Sequence, residues 1–236
     1  MTKLSVNVNK IATIRNARGQ NTPNIVDAVM NCQKFGADGI TVHPRPDERH
    51  ITKRDVFDIK PKITTEYNIE GYPTDDFIDM VLNVQPNQVT LVPDSPDVIT
   101  SSSGWDTIKF QSYLKNIISK LKNSGIRTSI FVDPIIDIIQ ATKECGADRI
   151  ELYTEDYANN YNLNKDKAIE PYVIAAKKAN EMGLGINAGH DLNLNNLNFF
   201  ANNIPNLLEV SIGHALISDA IYLGLENTIQ MYKRLL

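Results

Sequence analysis

A repeated unit constrains the fold of this chain more than any other feature: an amphipathic helix pattern, a glycine-containing turn, then a short aliphatic run. It occurs as Phe35-Gly36-Ala37-Asp38-Gly39 leading into Ile40-Thr41-Val42-His43, and again as Cys145-Gly146-Ala147-Asp148-Arg149 leading into Ile150-Glu151-Leu152-Tyr153. Looser copies are Ser124-Gly125-Ile126 before residues 127–132 and Met182-Gly183-Leu184 before residues 185–187. In each copy glycine falls where a helix C-terminus needs a positive φ. The run that follows has the β-branched and aliphatic residues of a strand.

Counting outward from these units places eight strands at residues 4–8, 40–42, 63–70, 88–92, 128–132, 150–153, 185–187 and 208–212. Helical patterns fall at 25–35, 75–84, 110–123, 135–145, 165–182, 194–201 and 217–236, with a weaker one at 52–60. Strands alternating with helices imply βαβ units and a parallel sheet. Several strands read as continuously apolar, as expected when both faces are covered. Eight units favour a closed barrel over an open sheet. No Gly-x-Gly-x-x-Gly turn follows the first strand, which weighs against dinucleotide binding. No linker or low-complexity segment interrupts the pattern. The expectation is an α/β protein, one (β/α)₈ TIM-barrel catalytic domain over residues 1–236, a length suited to that fold.

Composition narrows the function classes. The formal net charge is −4, which gives no electrostatic basis for binding nucleic acid or an anionic membrane. With 42% hydrophobic and 22% charged residues the chain is an ordinary soluble type. No run approaches the ~20 apolar residues of a membrane span, and residues 1–10 lack the core of a signal peptide. The expected location is the cytoplasm. Cys32 and Cys145 occupy equivalent helical places in two repeats and read as buried small hydrophobes. They form no Cys-x-x-Cys spacing that would suggest a metal or redox site.

In a (β/α)₈ barrel the active site lies at the C-terminal ends of the strands, so the placement of polar residues is informative. The chain has four histidines. His43 ends strand two and His50 follows in the same loop; His190 follows strand seven and His214 ends strand eight. None reads as lying in a helix. One such histidine is more often structural than functional, but four converging on one face point to a site. Glu70 ends strand three, where a carboxylate beside histidines suits a general base. Glu151 sits between Ile150 and Leu152 in strand six, where a charge is costly unless it faces a polar site. Arginines cluster in the loops after strands one (Arg15, Arg18) and two (Arg45, Arg49), in positions to contact phosphate. Gly189-His190 and Gly213-His214 fall at the usual phosphate-binding corner of this fold. Two separated anion sites would suit a pair of phosphorylated substrates. The loop over residues 93–107 reads as a candidate lid.

These residues carry a resemblance. Along essentially its whole length the chain resembles the pyridoxine 5′-phosphate synthase family. The matching stretches are residues 11–19 (Ile-Ala-Thr-Ile-Arg-Asn-Ala-Arg-Gly), 36–43, Arg49-His50-Ile51, Asn187-Ala188-Gly189-His190 and Ile212-Gly213-His214-Ala215. The resemblance implies condensation of 1-deoxy-D-xylulose 5-phosphate with 3-amino-2-oxopropyl phosphate, releasing phosphate and water, without a metal or organic cofactor. It implies His43 and Glu70 as proton acceptors, His190 as proton donor, and Glu151 as a carboxylate stabilising a transition state. It assigns Arg45, His50 and Thr100 to the deoxyxylulose phosphate and Asn7, Arg18, Gly213 and His214 to the amino-oxopropyl phosphate. It also implies a homo-octamer.

The sequence departs from the family pattern at three places. Asn9-Lys10 stand where many members have Asp-His, which leaves Lys10 able to contact substrate but not to serve as a titratable ring. Asp191 stands where many have Gly, so only its backbone N–H suits a phosphate. Gly71-Tyr72-Pro73 replace small apolar residues after Glu70 and give the third loop its own shape. Two other readings compete. One is another phosphosugar barrel; a Schiff-base aldolase would want a lysine on a strand, and Lys10 is the one tempting candidate. The other is a vitamer-binding protein without turnover, against which the joint presence of His43, Glu70 and His190 argues.

Overall fold

The computed structural model describes residues 1–93 and 103–236. Eight strands pair in chain order and all in parallel to close a barrel. They are β1 (Lys3–Asn7), β2 (Gly39–Val42), β3 (Glu66–Gly71), β4 (Gln88–Leu91), β5 (Arg127–Val132), β6 (Arg149–Tyr153), β7 (Gly185–Gly189) and β8 (Leu207–Ile212). Closure leaves no strand edge exposed. The expected strands agree to within three residues at every boundary, the largest shift being the start of β3.

The strands are not continuously apolar, which corrects the reading above. They alternate. Leu4, Val6, Ile40, Val42, Ile69, Val89, Leu91, Ile130, Ile150, Leu152, Ile186, Val210 and Ile212 are fully buried and belong to the main core with the helices. The residues between them are polar: Ser5, Thr41, Asn68, Gln88, Thr90, Ser129, Glu151, Asn187, Glu209 and Ser211, all buried. These face the barrel interior, because their hydrogen bonds join strands that are not neighbours. Asn187 Nδ2 of β7 reaches Gln88 Oε1 of β4 at 3.5 Å, and Ser211 Oγ of β8 reaches Glu70 Oε1 of β3 at 3.4 Å. The short side chains of Ser, Thr and Asn punctuate β-branched runs and make them look apolar on a quick count. Each outward aliphatic contributes about 1.5–3 kcal/mol of burial, so the fold rests on the layer between sheet and helices, leaving the interior for polar groups.

Helices α2 (Ile25–Lys34), α3 (Lys53–Ile59), α4 (Asp75–Val84), α5 (Gln111–Asn123) and α6 (Ile136–Glu144) lie where the periodicity places them. Capping explains the starts of α2, α3 and α4: the Asn24, Thr52 and Thr74 side chains accept N–H groups of the first turn. Three differences from the sequence reading bear on the site. First, residues 9–16 form a helix, α1 (Asn9–Asn16), directly after β1 instead of a loop. Second, helix α7 (Glu155–Glu181) begins ten residues earlier than expected and is kinked at Asn164, whose side chain caps Lys167 N–H at 3.0 Å. Third, after α8 (Leu197–Asn203), the expected C-terminal helix is two helices, α9 (His214–Leu223) and α10 (Leu225–Lys233), divided at Gly224 with φ +79°. His214 is therefore the first residue of a helix, not the last of a strand.

Candidate active site

The carboxyl ends of the strands open into a cavity of about 600 Å³. It is lined by Asn7, Asn9, Lys10, His43, Arg45, His50, Glu70, Glu151, His190, Asp191, Gly213 and His214, so twelve of the fourteen residues singled out by the family pattern for catalysis or substrate contact meet there, together with Arg49. Of the other two, Arg18 is exposed in the turn after α1 and does not line the cavity. Thr100 lies outside the described residues, as does most of the candidate lid. The end of that loop is anchored: Gly104 N–H donates to Asp133 Oδ2 at 3.0 Å, and buried Trp105 stacks on Tyr72 with ring centroids 5.6 Å apart. A second hollow, of about 430 Å³, lies along α7 at the kink and contains no histidine.

Two helices start at the rim of the main cavity. Helix α1 has Val8 and α9 has Gly213 as N-cap, and neither cap offers a side-chain acceptor to the first-turn N–H groups. The positive dipole end of a helix whose N-cap residue supplies no side-chain acceptor favours an anion. The Asn7 Oδ1 accepts Asn9 N–H at 3.0 Å, and Asn9 Oδ1 in turn accepts His43 N–H at 2.9 Å. This relay fixes the start of α1 against the end of β2. Gly213 is required here because a Cβ would stand 3.1 Å from that of Asn7.

The acid–base residues sit in contrasting surroundings. His43 Nδ1 is 4.0 Å from Glu70 Oε2, and Asn7 Nδ2 donates to the same oxygen at 3.4 Å. Burial, then the charges of Arg45, His50 and Arg49, lower the His43 pKa to about 3. His50 is lowered to about 4 by burial and by Arg45, Lys10 and Arg49. Both rings are neutral at neutral pH. His190 differs: burial opposes its charge, but the hydrogen bond and charge of Asp191, with Glu70 and Glu155, outweigh that and raise its pKa. Glu151 is 3% exposed, and burial together with Glu70 and Glu209 raises its pKa well above the usual carboxylate range. Thr90 Oγ1 donates to its Oε2 at 3.4 Å. Gly189 leaves room for it, since a Cβ there would lie 2.4 Å from Glu151 Oε1.

Some candidates do other work. Arg15, expected near phosphate, grips Asp55 with two nitrogens at 2.5 and 2.8 Å and donates to His50 O at 3.1 Å. Asn16 Nδ2 donates to the same carbonyl at 2.8 Å. Together they hold the loop that carries His50. Ser211, which the sequence places only in the phosphate corner Ser211-Ile212-Gly213-His214, also lines the cavity and contacts Glu70. Among the described residues no group of three or more His, Cys, Asp or Glu could hold a metal ion.

A cavity that combines proton-transfer groups at strand ends with anion-attracting helix starts is that of a (β/α)₈-barrel enzyme. Its family follows from comparison with known proteins. The family model described as pyridoxal phosphate biosynthesis protein PdxJ matches residues 4–236, and the chain belongs to that family. It is 62% identical over 232 residues to a pyridoxine 5′-phosphate synthase of Flavobacterium johnsoniae, covering 98% of each chain. It is 61% identical to one of Christiangramia forsetii and 60% identical to one of Bacteroides fragilis, each over the full length of both chains. Among solved structures, the barrel is similar to a phosphoribosylanthranilate isomerase of Thermotoga maritima (TM-score 0.62, 14% identity, covering 100% of this chain and 98% of that one). It is also similar to a thiamine phosphate pyrophosphorylase of Pyrococcus furiosus (TM-score 0.63, 12% identity, covering 99% and 94%). At such identities these two share the fold alone.

Proposed function

We propose that the chain acts as one catalytic domain that condenses 1-deoxy-D-xylulose 5-phosphate with 3-amino-2-oxopropyl phosphate to give pyridoxine 5′-phosphate, phosphate and water. Identity near 60% along whole chains supports the activity. The observation that carries the mechanism is the meeting of His43, Glu70 and His190 in one cavity between the starts of α1 and α9.

The chemistry needs groups that take and give protons at successive steps. His43 is neutral and beside Glu70, so this pair accepts protons as the amine adds and the carbon skeleton rearranges. His190 holds a proton and delivers it to departing oxygen. Glu151, kept as the neutral acid, donates a hydrogen bond to charge developing on the substrate. The start of α9 with Gly213 and His214, together with Asn7 and Arg18, holds the amino-oxopropyl phosphate, and Asn9 and Lys10 at the start of α1 contact substrate. Arg45, His50 and Thr100 hold the deoxyxylulose phosphate. Fixing both phosphates brings the reacting carbons into register. No step calls for a metal or an organic cofactor.

A homo-octamer and a cytoplasmic location complete the proposal. Family membership supports assembly, and Ile221 and Tyr222 at the end of α9, 69% and 88% exposed, offer apolar surface for it. The two buried free thiols suit a reducing compartment. No helix among the described residues is long and apolar enough to cross a membrane.

The test is to supply purified protein with both substrates and follow pyridoxine 5′-phosphate by absorbance together with released phosphate. Both should rise together. Substrate binding without product would favour a binding protein instead. Undiminished turnover by a His190→Ala variant would remove the proton-donor assignment.

A further inference from the structure

We infer that Asp191 is a positioning residue for the proton donor: its carboxylate holds His190 through Nδ1, so that the proton exchanged with substrate is the one on Nε2. The inference rests on the synthase reading for its chemistry, but the dyad stands on geometry of its own.

His190 Nδ1 and Asp191 Oδ2 are 2.5 Å apart. The backbone at this contact is unusual: His190 has φ +98°, in the left-handed region that a non-glycine residue enters at a cost. The turn is over-determined from outside. Thr154 Oγ1 donates to Gly189 O at 2.7 Å and accepts Asp191 N–H at 3.4 Å. The Asp191 carbonyl accepts from Asn193 Nδ2 at 3.4 Å and Asn196 Nδ2 at 3.3 Å. With its N–H and carbonyl both engaged by protein, Asp191 presents its side chain to the histidine. On the other side, the Tyr153 ring meets the His190 ring edge-on at 5.3 Å, and its hydroxyl donates to Glu155 Oε2 at 2.5 Å. The imidazole is thus braced by a ring and oriented by a carboxylate.

A carboxylate on one ring nitrogen fixes the tautomer and favours the protonated ring, the arrangement that suits a general acid. Three acidic groups act on His190: Asp191 beside it, Glu70 from β3 and Glu155 from α7. The cations Lys10, Arg45 and Arg49 bear instead on His50, and both arginines on His43 as well. The cavity is therefore polarised, with rings near β2 pushed toward the neutral form and the ring after β7 pushed toward the charged one. Asp191 is in direct hydrogen-bond contact with the acid's ring. This also accounts for an anionic side chain in a cavity built for phosphates: the carboxylate is turned to the imidazole.

The experiment compares the wild-type chain with Asp191→Asn and Asp191→Glu variants. It records kcat and KM from pH 5.5 to 9 and the His190 titration by NMR of histidine-labelled protein. For Asp191→Asn the alkaline limb of kcat and the His190 midpoint should both move to lower pH. The kcat loss should be about tenfold or more at pH 8, shrink on acidification, and leave KM little changed. Asp191→Glu should stay nearer the wild type in both. A uniform kcat loss at every pH with an unmoved midpoint would overturn the inference, as would a lower KM with an unmoved profile, the sign of a charge acting on substrate. If the wild-type chain makes no product, the synthase reading fails, and the midpoint shift still decides whether the dyad exists.

Discussion

His43 Nδ1 lies 4.0 Å from Glu70 Oε2, while the other oxygen of Glu70 accepts the Ser211 hydroxyl at 3.4 Å across the barrel. Glu70 is on β3 and Ser211 on β8, with β1 and β2 between them around the barrel, so Glu70 is tied to both sides of the cavity. A carboxylate held between a neutral imidazole and a hydroxyl is placed to receive a proton and to pass it on.

Replacing Glu70 with Gln keeps the shape and the Asn7 and Ser211 neighbours but removes the basic oxygen. We expect kcat to fall by about 10²–10⁴-fold with a small change in KM. Steady-state kinetics on both substrates measures this. A variant within threefold of wild type would take Glu70 out of the chemistry.

Glu151 should cost stability for the sake of the site. Its folded pKa is raised above the ordinary 4.5. The folded state keeps its proton while the unfolded chain releases it, so stability associated with this group is present below pH 4.5 and lost as pH rises. Glu151→Gln removes that dependence. The variant should be more stable than wild type at pH 8 by about 1–3 kcal/mol, with a smaller gap at pH 5, and much less active. Urea unfolding at the two pH values reads the gap; a variant less stable than wild type at pH 8 contradicts the burial argument.

The neutral histidines act in the opposite sense. His43 and His50 have folded values near 3 and 4, against 6.5 for a free ring. Between those values the unfolded chain binds protons that the folded chain refuses, so stability falls as pH drops below 6.5. The combined effect by pH 5 is on the order of a few kcal/mol. His43→Gln and His50→Gln should each flatten the decline in Tm between pH 7 and 5, by thermal unfolding. An unchanged slope in both would mean the rings charge freely in the folded protein.

Arg15 is predicted to matter through the His50 loop, which it holds from α1. Its side chain and that of Asp55 are 10% and 13% exposed, and breaking so buried a pair costs about 3–5 kcal/mol. Arg15→Ala should lower stability by that order and raise the KM for the substrate that His50 contacts, with a lesser effect on kcat. Arg15→Lys should rescue little, because one ammonium cannot serve two carboxylate oxygens and the His50 carbonyl together. A KM at the wild-type value would confine Arg15 to folding.

Much of this architecture is written in local signals, and what is not depends on contacts distant in sequence. The Gly-Ala-Asp turns locate β2 and β6 because a positive φ and a following β-branched run are chain-local. Helix α1 escapes notice because its N-cap, Val8, has no capping side chain and residues 9–16 carry little apolar periodicity. The anion-attracting start of α1 was hidden for the same reason. The division at Gly224 was legible in principle, since a lone glycine in a helical pattern ends it as readily as it bends it. The gathering of twelve candidates into one cavity follows from the strand-end rule. That Arg15 faces Asp55, and that Asp191 turns to His190, depends on loop geometry that spacing does not encode.

The most direct test of an acid and a base held apart in one cavity is the protonation of the histidines themselves. Histidine-labelled protein, with resonances assigned by single substitutions, should show His43 and His50 neutral at pH 7 and His190 still protonated above the pH, about 6.5, at which a free ring loses half its charge. A His43 ring that titrates near 6.5, or a His190 ring already neutral there, would contradict the account.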